Sequence, residues 1–293
     1  SKGGPGGIST TPEIRYEESA SVGYLHFDFY NGAMSTPACQ RLLAVYESAR
    51  QRPTKVIVLM GGEDFFSNGL DLNHIEAADS PPEESWRNIN AMDDLCRAIL
   101  TTERQLTVSA LAGNAGAGGA FLALAADQIW ARRGVILNPH YKNMGNLYGS
   151  EYWSYLLPRR VGAKQAAAIM RNRLPLGAEA AAHMGFLDAA FGDDLPGFRA
   201  EIRARAEALA AGEDFTERLQ AKLQARAQDE AAKPLEAYRA AELKHMQRNF
   251  YGFDPSYHVA RHHFVRKTPH SWTPRHLAIH RELGWVVPED AEG

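Results

Sequence analysis

The sequence predicts an α/β protein with a helical C-terminal region, and three observations predict it. Two short runs, 55–60 (K-V-I-V-L-M) and Leu106–Leu111 (L-T-V-S-A-L), are largely apolar and each ends in a glycine turn, the pattern of strands buried on both faces of a parallel sheet. Residues 83–103 carry Trp86, Ile89, Met92, Leu95 and Ile99 at a spacing of three to four, one apolar face of an amphipathic helix. Residues 198–248 are rich in Ala, Glu, Arg, Leu and Lys and hold one Gly and one Pro, a composition that favours helix.

The elements follow in order. Residues 14–30 alternate apolar and polar side chains and predict one strand that ends at Asn31-Gly32. Ser35 and Thr36 can cap a helix with Pro37 in its first turn, and Leu42, Leu43, Val45 and Tyr46 carry that helix to Arg52-Pro53. The β-branched residues of 55–60 favour strand. Gly61-Gly62 then breaks the chain, and F-F-S-N-G-L-D-L sets Gly69 and Leu70 at a strand-to-helix junction. Helix 83–103, strand Leu106–Leu111, a glycine-rich loop, helix 119–126 and a further strand within 128–137 come next. The order strand, strand, helix repeats. From 198 two helices are expected, with breaks near Gly212 and near Pro234. Residues 249–285 are aromatic and histidine-rich with few periodic runs. The resulting organisation is 1–10 as a linker or cloning scar (S-K-G-G-P-G-G at its start), 11–197 as core and 198–293 as helical region, so that the chain would be one piece of a longer protein.

Composition excludes several classes. Hydrophobic content of 45% and charged content of 23% over 293 residues are those of a globular protein. A net charge of −3 gives no electrostatic reason to expect nucleic acid. No apolar run approaches the ~20 residues of a membrane span, and no apolar signal segment opens the chain. Two cysteines, Cys39 and Cys96, fit a reducing, cytoplasmic setting and structural roles.

The densest chemical signal is L-A-G-N-A-G-A-G-G-A-F-L-A-L-A-A-D, where Gly113, Gly116, Gly118 and Gly119 precede a buried helix. Glycines let backbone N–H groups approach a ligand, and a helix N-terminus favours negative charge. Such a turn suits a developing oxyanion or a thioester carbonyl; it also suits close packing of a strand against a helix. A second glycine turn at Gly69-Leu70 could supply a second amide to the same oxygen.

With these motifs the chain resembles the crotonase (enoyl-CoA hydratase/isomerase) superfamily over about residues 14–195. The likeness is carried by K-V-I-V-L-M-G-G, F-F-S-N-G-L-D-L, the glycine loop, L-P-R-R-V-G-A-K-Q-A and A-E-A-A-A-H-M-G-F-L-D-A. It implies a spiral of ββα repeats, a CoA thioester substrate and an oxyanion hole from the amides of Leu70 and Gly118. Asn68, Gly69, Asn114, Phe121, His140 and Tyr148 then fall in or near the substrate pocket, Asn114 either lining it or serving the turn. The family's first catalytic glutamate aligns with Phe121, which has no proton to move, and the place of the second reads N-P-H-Y-K-N-M-G. Hydration by a glutamate pair is therefore not expected.

The segment N-P-H-Y-K-N-M-G-N-L-Y-G-S-E-Y-W-S-Y-L-L-P-R-R-V-G, with E-S-W-R-N-I-N-A-M-D-D-L and Y-H-V-A-R-H-H-F-V-R-K, resembles one subgroup, the C-terminal half of HypX-type hydrogenase maturation proteins. That resemblance implies cleavage of formyl-CoA to CO and CoA, which supplies CO to a [NiFe] hydrogenase. It also implies a separate formyl-tetrahydrofolate-binding formyltransferase half, and hydrogenase maturation proteins as further partners. It points to Tyr141 and Glu151 as the acid/base pair, with either residue in either role, and Glu151 reads as the first turn of a helix. A helix-terminal charge and a packed aromatic are the plain structural alternatives for these two, and a hydrogen-bonded histidine for His140. Two other functions stay open: another acyl-CoA hydratase, isomerase or hydrolase, and a non-catalytic docking module. Seven of eleven histidines lie from His245 onward, among them His258, His262 and His263, without a partner pattern for zinc, so no metal is expected. Arg261, Arg266 and Lys267 could meet CoA phosphates or lie on a solvated surface.

Overall fold

A computed structural model describes residues 7–9, 11–141 and 144–267 of the chain. Its elements run β1 (Ile14–Ser19), β2 (Val22–Phe27), β3 (Ala33–Met34), α1 (Thr36–Arg50), β4 (Val56–Met60), β5 (Phe65–Ser67), β6 (Gly69–Leu70), α2 (Leu72–Glu76) and α3 (Pro81–Leu100). There follow β7 (Leu106–Leu111), β8 (Asn114–Gly116), α4 (Gly118–Leu124), β9 (Gln128–Arg132), β10 (Ile136–Asn138), α5 (Trp153–Val161), α6 (Ala163–Asn172), β11 (Leu176–Gly177), α7 (Ala178–Met184) and β12 (Ala189–Phe191). Four helices close the described chain: α8 (Leu195–Ala211), α9 (Phe215–Ala232), α10 (Leu235–Tyr251) and α11 (Ser256–Lys267).

The main sheet has the order β1-β2-β4-β7-β9-β12, parallel throughout except for the β1–β2 pair. The strands β4 and β7 are buried at every position; β4 is apolar throughout, and in β7 the hydroxyls of Thr107 and Ser109 donate to Asp127 Oδ2 at 3.0 Å and to Ala123 O at 2.8 Å. A second sheet, β11-β10-β8-β5, takes one short strand from just after each of β4, β7 and β9. Each repeat thus feeds both sheets before its helix, which is the predicted ββα spiral. The passage from β7 to β8 needs Gly113, where a Cβ would overlap Asp64 C and Phe65 N.

Helix α1 starts as its sequence dictates, with the Ser35 side chain accepting from Ala38 N at 3.2 Å and Pro37 in the first turn. Three expectations need correction. The strand expected over 14–30 is a hairpin, because Ala20 and Ser21 both adopt positive φ (53° and 65°), as a two-residue I′ turn demands. Neither is a glycine or asparagine, so alternation runs through the turn unmarked. The strand expected within 128–137 is two, β9 and β10, which belong to different sheets. The breaks near Gly212 and Pro234 separate three helices, and α11 forms within the stretch that showed little periodicity.

The helical region packs on the core. Phe198, Ile202, Ala206 and Ala210 of α8 cover one face of the main sheet against Val22, Tyr24, Val56, Val58 and Val108. The other face meets α1, α3 and α4. Phe198 is fully buried, so Phe198→Ala is expected to destabilise the chain by about 3–5 kcal/mol. Chemical denaturation should show this as a shift of one shared transition; separate unfolding of the helices would contradict this packing. Among the described residues no helix is long and apolar enough to cross a membrane.

Candidate active site

Two glycine turns meet at the N-terminus of α4. Gly69 has φ +77°, and a Cβ there would lie 3.1 Å from Gly118 N. At Gly119 a Cβ would overlap Ser67 O. Only residues without side chains let these backbones touch. Ala117, just before α4, is held at φ +50°, ψ −132°, a region that costs a non-glycine residue ~1–3 kcal/mol and that marks functional turns. Its N–H donates to Asn138 O at 2.9 Å. Leu70 and Gly118, the two expected clamp residues, stand on these converging turns.

Glu151 and Tyr141 meet beside them. The Tyr141 hydroxyl donates to Glu151 Oε1 at 2.7 Å, and Ser150 N–H reaches the same oxygen at 3.3 Å. Glu151 Oε2 is buried without a hydrogen-bond partner among the described residues. It lies against Gly118, where any Cβ would overlap it. Glu151 is wholly buried and Tyr141 nearly so. Burial pushes the Glu151 carboxyl up to about 7; the nearby Glu242 carboxylate adds to this, while the Tyr141 and Ser150 hydrogen bonds oppose it. Burial and the Glu151 carboxylate push the Tyr141 phenol well above its ordinary value, so Tyr141 stays protonated as the donor.

The local chain explains this placement. Glu151 does not occupy a first helical turn. Glu151 (φ +56°) and Tyr152 (φ +59°) are both left-handed, and α5 starts only at Trp153. The carboxylate consequently turns toward the N-terminus of α4. Gly149 (φ +92°) lies under the Tyr141 ring, and a Cβ there would overlap it. Phe121, fully buried on α4, stacks on Tyr141 with centroids 5.9 Å apart and nears Trp153 at 6.4 Å. Phe121, Tyr141 and Trp153 thus form an aromatic floor beside Glu151.

A cavity of about 750 Å³ opens at the turns, lined by Asn68, Leu70, Gly116, Ala117, His140 and Lys267 among others. Ala117 faces this cavity, while the Glu151 carboxylate sits against the next residue, Gly118. Asn68 ties its side-chain amide to Asn31 O at 2.8 Å. Asn114 accepts from Ile136 N at 2.8 Å and so serves the second sheet. His140 is buried at the cavity wall. Tyr148 stacks on His245 with centroids 4.0 Å apart, on the α10 side. Arg261 and Arg266 both reach Glu76, at 2.9 and 2.8 Å, and so fasten α11 to α2; Lys267 remains at the cavity. His258 bonds Phe250 O at 2.8 Å and His262 bonds Glu76 at 3.1 Å. No group of three or more metal-ligating side chains gathers among the described residues. His270, His276 and His280 lie outside the described residues.

Sequence reasoning missed Asp93, Ser150 and Glu242. All three are buried around Glu151, with Asp93 Oδ1 accepting from Glu151 N at 2.8 Å and Glu242 Oε1 from Tyr152 N at 3.0 Å. A signal existed. Asp93 lies four residues after Ile89 and three before Cys96, on the apolar face of α3, and Glu242 sits in the buried stripe Leu235, Arg239, Met246, Phe250 of α10.

The spiral of repeats over two sheets, with its glycine turns at the start of α4, is the crotonase type of architecture. The sequence model of the enoyl-CoA hydratase/isomerase family matches residues 17–275, and the chain belongs to that family. Within it, the chain is 55% identical to the hydrogenase maturation factor HoxX of Bradyrhizobium diazoefficiens over 92% of its own length and 47% of that protein. It superposes on crystal structures of HypX from Aquifex aeolicus, one in complex with tetrahydrofolic acid, at 52% identity and TM-score 0.85, covering 94% of this chain and 49% of that one. The chain therefore spans about half the length of these relatives. A crystal structure of enoyl-CoA hydratase from Bacillus halodurans, at 17% identity and TM-score 0.74, shares the fold over 86% of this chain and 99% of its own.

Proposed function

We propose that this chain splits formyl-CoA into carbon monoxide and CoA, in the service of [NiFe] hydrogenase maturation. The observation that carries the reading is the buried Tyr141–Glu151 pair, whose second carboxylate oxygen has no hydrogen-bond partner among the described residues and abuts Gly118. The reaction needs a clamp for the thioester carbonyl, a base for the formyl proton and an acid for the leaving sulfur. Amides of Leu70 and Gly118 serve as the clamp. Glu151 takes the formyl proton; the C–H electron pair stays on carbon and becomes the lone pair of CO. The C–S pair leaves with sulfur, and the thiolate takes that proton back from Glu151, either directly or through the Tyr141 hydroxyl, which Glu151 then reprotonates. A carboxyl poised near 7 suits both halves of that exchange. Two relatives support the pathway: one is a hydrogenase maturation factor, and the other carries tetrahydrofolate, the class of cofactor that delivers formyl groups. The half of the HypX-type chain beyond this one is the proposed source of the formyl group.

The test is to add formyl-CoA to the protein and follow CO with haemoglobin, beside crotonyl-CoA as the hydratase substrate. CO release with no hydration of crotonyl-CoA is expected. Hydration of crotonyl-CoA without CO would return the chain to the ordinary activities of its family.

A further inference from the structure

Behind Glu151 lies a second set of buried carboxyls, Asp93 from α3 and Glu242 from α10, joined through Ser150. Ser150 Oγ stands 2.9 Å from both Asp93 oxygens and 3.0 Å from Glu242 Oε1. A serine hydroxyl has one hydrogen, so it donates to one carboxyl at a time. The second contact is a hydrogen bond only if that carboxyl is itself an acid and donates to Ser150. The remaining donors decide which one. Glu242 accepts Tyr152 N at 3.0 Å, Ser154 N at 3.1 Å and the Ser154 hydroxyl. With the Ser150 hydrogen that makes four donors, the capacity of an ionised carboxylate. Among the described residues Asp93 accepts one N–H, that of Glu151. Arg239, the cation that faces it, has its Nε 3.6 Å away and spends Nη1 on Asp94 at 2.8 Å and Nη2 on Asn90.

We infer that Asp93 and Glu242 are positioning residues for Glu151 that share one proton across the Ser150 hydroxyl, with Asp93 as the acid and Glu242 as the anion. The chain of bonds runs from the Asp93 acid to Ser150 Oγ, and from its hydroxyl to Glu242. It fixes the two consecutive left-handed residues Glu151 and Tyr152, each unfavourable for a side-chain-bearing residue. With the backbone so held, Glu151 Oε2 has no hydrogen-bond partner among the described residues and lies against Gly118, which is where a substrate group would meet it. The groups that face Asp93 are Glu151, Glu242, Arg239, Tyr152 and Cys96. Burial and the two carboxylates push Asp93 well above its ordinary range, opposed by Arg239 and the Glu151 N–H. The positioning role rests on the formyl-CoA reading of Glu151, whereas the shared proton does not.

Infrared spectroscopy of the full chain tests the proton directly. On the alkaline side of the Glu151 value, about 7, the wild type should show a carboxylic-acid C=O band that Asp93→Asn removes. Because the folded state holds that proton more tightly than the unfolded chain, wild-type stability should fall as pH rises through the raised Asp93 value, and Asp93→Asn should flatten that fall. An amide at 93 reproduces both the acceptor for Glu151 N and the donor to Ser150, so CO release should stay within about tenfold of wild type. Asp93→Ala should lose about 10²-fold through misplacement of Glu151. Absence of the acid band from the wild type, its survival in Asp93→Asn, or equal damage from Asn and Ala would overturn the inference. Should Asp93→Ala fail to fold, the band in wild type and Asp93→Asn still decides. Failure of CO release altogether would strike the decarbonylation reading and leave the infrared result standing.

Discussion

Glu151→Gln is expected to lower CO release from formyl-CoA by about 10²–10⁴-fold, the range that one positioned acid–base group supplies. Glutamine keeps the shape, and its carbonyl oxygen can still accept the Tyr141 hydroxyl that Oε1 accepts at 2.7 Å. The fold should therefore survive, and the loss should fall on turnover. The pH dependence gives a sharper form of the same expectation. Glu151 must be ionised to take the formyl proton, and its value is raised to about 7. The kcat/KM of the wild type should accordingly rise with pH through about 7 and then level. Tyr141 donates to the ionised form and so holds the Glu151 value down. Tyr141→Phe should therefore move that limb to higher pH as well as slow the reaction. Undiminished CO from both variants, or an acid limb that ignores Tyr141→Phe, would remove the pair from the chemistry.

The sequence made the frame of this site legible and left its setting obscure, for physical reasons. Strand β4 is apolar at every position and β7 at four of its six, because both faces are covered, and that shows in the sequence. The glycine turns show because only a residue without a Cβ permits an approach such as that of Gly119 to Ser67 O. Glu151 and Tyr141 could be named from a resemblance, but their mutual bond depends on the left-handed pair Glu151-Tyr152, which no local propensity marks. That pair is imposed from outside the segment, by Asp93 on α3 and Glu242 on α10. The separations are 58 and 90 residues, far beyond any periodicity. The composition of the region from 198 marks helix but not what that helix packs against. Its α8 closes the core, and its α10 places the buried Glu242 carboxyl beneath the site.

Gly118→Ala is the second large effect expected, and it tests the place of Glu151 without altering its chemistry. The added methyl would overlap Glu151 Oε2 and Cδ. The carboxylate has little freedom to yield, because Oε1 is tied to Tyr141 and to Ser150 N and the backbone N–H is tied to Asp93. The Gly118 amide would remain, yet the base would be pushed from the clamp. A loss of about 10²–10³-fold in kcat is expected, the scale of losing one preorganised group at such a site. Overpacking should cost the fold only about 1–3 kcal/mol. Gly119→Ala is the contrasting case: there a methyl would overlap the Ser67 carbonyl, which is backbone and cannot step aside, so stability should fall further. The double variant Gly118→Ala, Glu151→Gln should be scarcely slower than Glu151→Gln alone, because both changes remove the same contribution. Simple multiplication of the two losses would mean that Gly118 acts through its amide alone, and that the carboxylate does its work from another place.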